Sequence, residues 1–130
     1  MWMSLDNATP ATKMTAKDLA TAIYNTKFHY KDEKELQRGI GILLTQLGLT
    51  FEAEHLLSAW DRIDFLVGDI GIEVKVDSSQ SLVTRQLWRY SKCSEIQSLI
   101  LVTTRSKHLS LPAEMNGKTI YHVHLLHSFL

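Results

Sequence analysis

Asp64, Glu73 and Lys75 interrupt the apolar runs of one short stretch, Arg62 to Val76, RIDFLVGDIGIEVKV. Neighbouring carboxylates repel one another, and a buried charge is costly unless it is paired or bound to a metal. A divalent cation resolves the conflict, because Mg²⁺ and Mn²⁺ take oxygen ligands and commonly keep several waters. An amine beside such an ion can orient a water, help deprotonate it, or stabilise negative charge on a phosphate. Together the three residue types suit hydrolysis of a phosphodiester. The plainer alternative is an exposed, salt-bridged E-x-K on a strand, which is the commoner fate of that tripeptide.

Strand geometry is what would assemble them. Side chains on a strand alternate faces, so Ile72, Val74 and Val76 point to the core while Glu73 and Lys75 share the other face, about 7 Å apart. On the preceding strand Ile63, Phe65 and Val67 make the apolar face and Asp64 lies opposite. Gly68-Asp69 suits a tight turn, and pairing across it brings Asp64 close to Glu73.

Helices on either side offer partners. KDEKELQRGIGILLTQLG carries Leu36, Ile40, Leu43, Leu44 and Leu47 at helical spacing. Glu33 falls about 35° from the centre of that stripe and Glu35 about 125° away. Glu33 is thus the acid expected to face the sheet, with Asp32 its competitor; all of these acids also suit a helix N-terminus without any further role. Downstream, SLVTRQLWRYSKC returns to helical spacing with Leu82, Leu87 and Tyr90 on or near one side. Gln86, Arg89 and Tyr90 lie at i, i+3 and i+4, one helix surface. Gln86 could hold Lys75 or the attacking water, and the Arg89 guanidinium matches phosphate geometry. Tyr90 suits core packing with its hydroxyl at the edge as well as it suits a DNA contact. Arg85 and Lys92 flank that surface as further DNA-contact candidates, although a solvated face is the commoner role.

The whole chain must be able to hold such a site. It has 130 residues, enough for one domain with a real core. Lys plus Arg and Asp plus Glu are 14 each, so the formal net charge is zero, which argues against a strongly basic, non-specific polyanion binder. Cys93 is the only cysteine, so neither a disulfide framework nor a cysteine-based zinc site is available, and a reducing compartment is expected. The start, MWMSLDNATPATKMTAKD, holds no apolar run suited to a signal peptide or membrane span, so an intracellular, cytoplasmic protein without membrane contact is expected. Residues 1–14 read as a flexible arm and 15–130 as one domain. TAKDLATAIYN is a short helix capped by Thr15, LTFEAEHLL a first strand, SLILVTT a strand buried on both faces, and KTIYHVHLL a closing strand. The order is helix, helix, three strands, helix, strand, strand, an α/β sandwich with a mixed sheet.

Other chemistry is less well supported. His122 and His124 share a strand face with His127 following, but no carboxylate or cysteine lies nearby to complete a metal site, so they read as exposed strand positions. Cys93 lacks a paired histidine at a diagnostic spacing and reads as a buried thiol. Trp60 and Trp88 read as core or rim aromatics, though either could stack on an unpaired base. Asp61, Asp69 and Asp77 read as turn or strand-end residues. No glycine-rich phosphate loop occurs.

IDFLVGDIGIEVKV resembles the core of the PD-(D/E)XK nuclease superfamily. There an Asp on the second strand and an (Asp/Glu)-x-Lys on the third make the active site; Asp64, Glu73 and Lys75 take those positions, and Ile63 stands where the leading Pro would be. Many members, Holliday junction resolvases among them, place a Glu on the first core helix, and several place a Gln on the helix after the E-x-K strand, which Gln86 would match. The resemblance runs from about Lys31 to the end. It implies a restriction-endonuclease-like αβββαβ core, with a central mixed sheet flanked by helices. It further implies a metal-dependent DNA endonuclease in which Asp64, Glu73, Glu33 and the Val74 carbonyl hold Mg²⁺ or Mn²⁺ and Lys75 works on the water, leaving a 5′-phosphate and a 3′-hydroxyl. A domain this small has little surface for reading sequence, so structure-selective cutting of branched DNA is expected, by a homodimer where two strands are cut. Compact nucleases of this kind are frequent in phages and mobile elements.

Overall fold

The structure, a computed structural model, describes residues 14–126. The expected arm lies outside these residues except for Met14, which packs against the core. Helix α1 spans Ala16–Tyr24 and starts where the Thr15 hydroxyl accepts a bond from the Asp18 amide at 3.0 Å. Helix α2 spans Glu33–Gln46. Its Asp32 cap accepts from the Glu35 amide, while the Glu35 carboxylate reaches back to the Lys31 amide. Leu36, Ile40, Leu43 and Leu44 form the buried stripe of α2; Leu47 stays partly exposed.

Strands β1 (Glu52–Leu56), β2 (Arg62–Val67) and β3 (Ile70–Lys75) follow as an antiparallel meander. Helix α3 (Gln80–Ser91) leads back to β4 (Ser98–Thr103), which pairs with β3 in parallel. A short 3-10 turn (Ser106–Ser110), the two-residue strand β5 (Glu114–Met115) and β6 (Lys118–His124) complete the described chain. The sheet is six-stranded and mixed, in the order β1-β2-β3-β4-β6-β5, with β4 and β6 also parallel. Sequence patterning does not show β5, because two residues are too few for alternation to register.

Helices cover both faces. On one, α1 and α2 pack through Leu19, Leu36, Ile40 and Leu44 onto Phe65, Ile72, Val74 and Ile100. On the other, α3 packs through Val83, Leu87 and Tyr90 onto Ile63, Leu99, Leu101 and Ile120. That double cover is why the middle of β4, Leu99 to Val102, is wholly apolar and why every residue of β3 is buried. Val83, not the exposed Leu82, supplies the apolar contact near the start of α3.

One expectation about β2 fails in an informative way. Strict alternation puts Ile63 on one face with Phe65 and Val67, yet it packs on the α3 face while they pack on the α2 face. Alternation therefore breaks at Asp64. The β2–β3 ladder stops at Phe65↔Ile72, one residue short of Asp64 and Glu73. Opposite Asp64 on β1, Glu54 has a φ of +52°, a local kink that leaves the β1–β2 register the same on both sides. Ile63 then fills the space above Gly71, where a Cβ would stand 2.5 Å from Ile63 Cδ1 and 2.8 Å from Ile96 Cδ1. Among the described residues no helix is long and apolar enough to cross a membrane.

Candidate active site

The break in the ladder is where the charged residues meet. With β2 peeling away from β3, two backbone amides lose the carbonyls they would have faced, and carboxylates take over. The Val74 amide donates to Asp64 Oδ2 at 2.8 Å, and the Asp64 amide donates to Glu73 Oε1 at 3.3 Å. A third amide at the end of β3, that of Val76, donates to Glu33 Oε1 at 3.1 Å. N–H and C=O of one strand residue point to the same neighbour, so the Val74 carbonyl faces the same gap as its amide. Lys75 Nζ lies 3.0 Å from Glu73 Oε2. Glu73 and Lys75 are 3% and 8% exposed, so the E-x-K is a buried pair and not a solvated one.

Electrostatics confirm that the gap is crowded with negative charge. Burial first, and then the Asp64 charge, push the Glu73 carboxyl up to about 7, against the pull of Lys75. Burial likewise lifts Asp64 to about 6; the Val74 amide and Lys75 oppose the rise, and Glu33 adds to it. Near neutral pH the two acids compete for a proton, which is the situation a cation would relieve.

The helical partners divide into those that reach the gap and those that do not. Glu33 reaches it from the α2 side, while Glu35 is occupied at the helix N-terminus and Asp32 is the cap. On α3, Tyr90 is 2% exposed and its hydroxyl lies 3.2 Å from the Arg62 carbonyl and 3.5 Å from Glu73 Oε2. A side chain so buried touches no DNA, so the Tyr90 contact expected from sequence is corrected to support of Glu73. Its proton stays on, because burial and the nearby Glu73 and Asp64 charges all raise its pKa. Gln86 lies one helical turn before Tyr90 on the same face. Because α3 runs back along β3, that turn lies toward Lys75. Gln86 Oε1 is buried and has no partner among the described residues.

Arg89 is spent elsewhere: its Nε donates to Asp61 Oδ1 at 2.7 Å, tying α3 to the β1–β2 loop. Asp61 is accordingly buried, more than a simple turn residue. Arg85 and Lys92 are exposed on the outer side of α3, where Lys92 Nζ sits 5.2 Å from the Trp88 ring centroid. The helix body separates both from the carboxylates, so neither adjoins the gap. Trp60 is 90% exposed, neither core nor rim. His122 and His124 are half-buried and not exposed, and His127 lies outside the described residues. Cys93 is half-buried, with its thiol directed at the Arg89 carbonyl.

Sequence reasoning missed Gln37, whose side chain lies beside Asp64 in the same cleft and works against the rise of its pKa. The signal was available: Gln37 is one turn after Glu33 on the same helix face. Also missed were Lys34 and Arg38, which line a cleft between α2 and β1–β2 that ends at Asp64.

A metal fits this chemistry only partly from protein groups. Among the described residues no three His, Cys, Asp or Glu side chains converge on one ion position. Mg²⁺ commonly takes one or two carboxylates and completes its shell with water and substrate phosphate, and the Asp64–Glu73 pair supplies that minimum. No family model, no curated protein and no solved structure matches the chain.

Proposed function

We propose that the protein is a metal-dependent DNA endonuclease of the PD-(D/E)XK kind, selective for branched or junction DNA. The observation that carries this reading is the broken β2–β3 ladder, in which buried Glu73 and Lys75 meet half-buried Asp64 with Val74's backbone facing the same gap. The finer fold reading, a restriction-endonuclease-like core, draws its support from the order α2-β1-β2-β3-α3-β4 with β3 and β4 parallel. Asp64, Glu73 and the Val74 carbonyl would hold Mg²⁺ or Mn²⁺, with Glu33 adding negative charge from the α2 side. Bound there, the ion supplies positive charge for the phosphate and acidifies a water.

The chain's own groups do the rest. Lys75 directs its ammonium into the gap, where it orients the attacking water and stabilises charge on a phosphate oxygen. The Gln86 oxygen offers a buried acceptor for that water or for the ammonium. Tyr90 fixes the far oxygen of Glu73. The Val74 amide holds Asp64 in place, with Gln37 beside it. Cutting both strands of a junction calls for two sites, hence a homodimer.

One rival takes support from the structure: the Glu73–Lys75 ion pair already satisfies both partners, as it would in a nucleic-acid-binding or assembly module that does no chemistry. The deciding assay incubates the protein with plasmid, single-stranded, flap and four-way-junction DNA in Mg²⁺, Mn²⁺ or EDTA. Metal-dependent nicking that disappears in Glu73→Ala and Lys75→Ala supports the nuclease. Binding without cutting under every metal supports the rival, and retained cutting in both variants sinks the assigned site. Mass measurement in solution tests the dimer.

A further inference from the structure

The cleft beside Asp64 is too well formed to be only the outer wall of the site. It has a volume of about 570 Å³, within the usual range of roughly 300–1,000 Å³ for small-molecule sites. Phe51 and Phe65 stand in it edge to face, with centroids 5.8 Å apart. Gly41, in the middle of α2, gives it depth: a Cβ there would come within 3.6 Å of the Phe65 ring. Glycine costs a helix interior about 1 kcal/mol relative to alanine. Lys34 and Arg38, one turn apart on α2, are exposed along the cleft and form no ion pair among the described residues. The one acid on the rim, Glu54, is paired with Arg62 at 3.3 Å. An apolar, aromatic floor, two free cations on one wall and an end at a phosphate-handling carboxylate describe one kind of ligand.

We propose that this cleft seats one unpaired nucleotide of the strand whose phosphate lies at Asp64, with its base against Phe51 and Ile42 and its flanking phosphates met by Lys34 and Arg38. The proposal rests on the nuclease reading for the identity of its ligand. It goes further by making an unpaired base, as found at a flap or junction branch point, the feature selected. Aromatic rings accept any base by stacking, so the selection is for strand structure and not for sequence.

The test is a binding measurement in EDTA, independent of cutting. The probe is a 12-nucleotide oligo-dT with a central 2-aminopurine, compared with the same strand carrying an abasic site there. The full chain should bind the first strand about tenfold more tightly than the second, with a change in 2-aminopurine fluorescence. Gly41→Leu, which fills the cleft, should remove that preference. Should Gly41→Leu fail to fold, Ile42→Glu replaces it, because Ile42 is 52% exposed and tolerates the change; it too should abolish the preference. Lys34→Ala and Arg38→Ala should weaken both strands alike and each reduce the salt slope by about 0.7. Equal affinity for the two strands, or a preference unchanged in the folded cleft variant, overturns the proposal. Cutting that survives alongside such a result leaves the nuclease standing without this subsite. A cleft-dependent base preference in a protein that never cuts leaves the subsite standing and removes the nuclease.

Discussion

Replacing Glu73 by glutamine should stabilise the metal-free protein at pH 8 and leave it almost unchanged at pH 4. The Glu73 carboxyl is lifted from its ordinary 4.5 to about 7 by burial and by Asp64. A raised acid binds its proton more tightly in the folded chain than in the unfolded one. Below the unfolded value both states hold the proton and there is no penalty. As pH rises from there to about 7, only the folded state retains it, so stability falls. Above that the penalty is complete, at about 3 kcal/mol from the size of the shift. Lys75 opposes the penalty but ranks below burial and Asp64 among its causes. Some of the gain is lost because Lys75 gives up its ion pair with Glu73, so a net stabilisation of about 1–3 kcal/mol is expected. Urea unfolding in EDTA, followed by fluorescence at both pH values, measures it. A variant destabilised to the same extent at pH 4 and pH 8 would show that the pocket was built around an ionised Glu73–Lys75 pair, and the reasoning would fail.

Three further outcomes follow from the same geometry. Adding Mg²⁺ to tenfold above its dissociation constant at pH 8 should raise the unfolding free energy by about 1.4 kcal/mol; calorimetry should find no such gain in Asp64→Asn, and an equal gain there would detach the ion from Asp64. Tyr90→Phe removes the hydroxyl that meets Glu73 and the Arg62 carbonyl. It should cost about 1 kcal/mol of stability in denaturant and lower nicking without abolishing it, since the ring still fills its place. Gly71→Ala drives a Cβ into Ile63 and Ile96 and should cost about 1–3 kcal/mol; a thermal midpoint equal to that of the parent chain would contradict the close approach.

The helices were legible because their signals are local. Thr15 and Asp32 cap α1 and α2, and the leucine stripe of α2 faces the core at the spacing it shows in sequence. The angular argument that separated Glu33 from Glu35 uses only helix geometry, and Glu33 meets the Val76 amide. What escaped depends on contacts distant in sequence. Ile63 changes face because the ladder ends beside it and Gly71 leaves it a space; strict alternation has no term for either. Arg89 is taken by Asp61, from a loop 28 residues earlier. Tyr90 could not be separated into core residue and ligand until Glu73 was known to be buried on its side of the sheet. Arg85 and Lys92 attracted notice by charge alone, whereas Lys34 and Arg38 have the same charge and stand beside the cleft.

The substitution of carboxylates for carbonyls at the broken ladder gives each acid its own spectroscopic reporter. The amides of Asp64, Val74 and Val76 donate respectively to Glu73, Asp64 and Glu33. An amide proton shift responds to the charge of its acceptor, so three backbone resonances follow three carboxylates separately during a titration with acid or with metal. Coupled acids usually yield only the summed behaviour of the pair. In this protein the main chain itself tells Asp64 from Glu73, with no label added to either side chain.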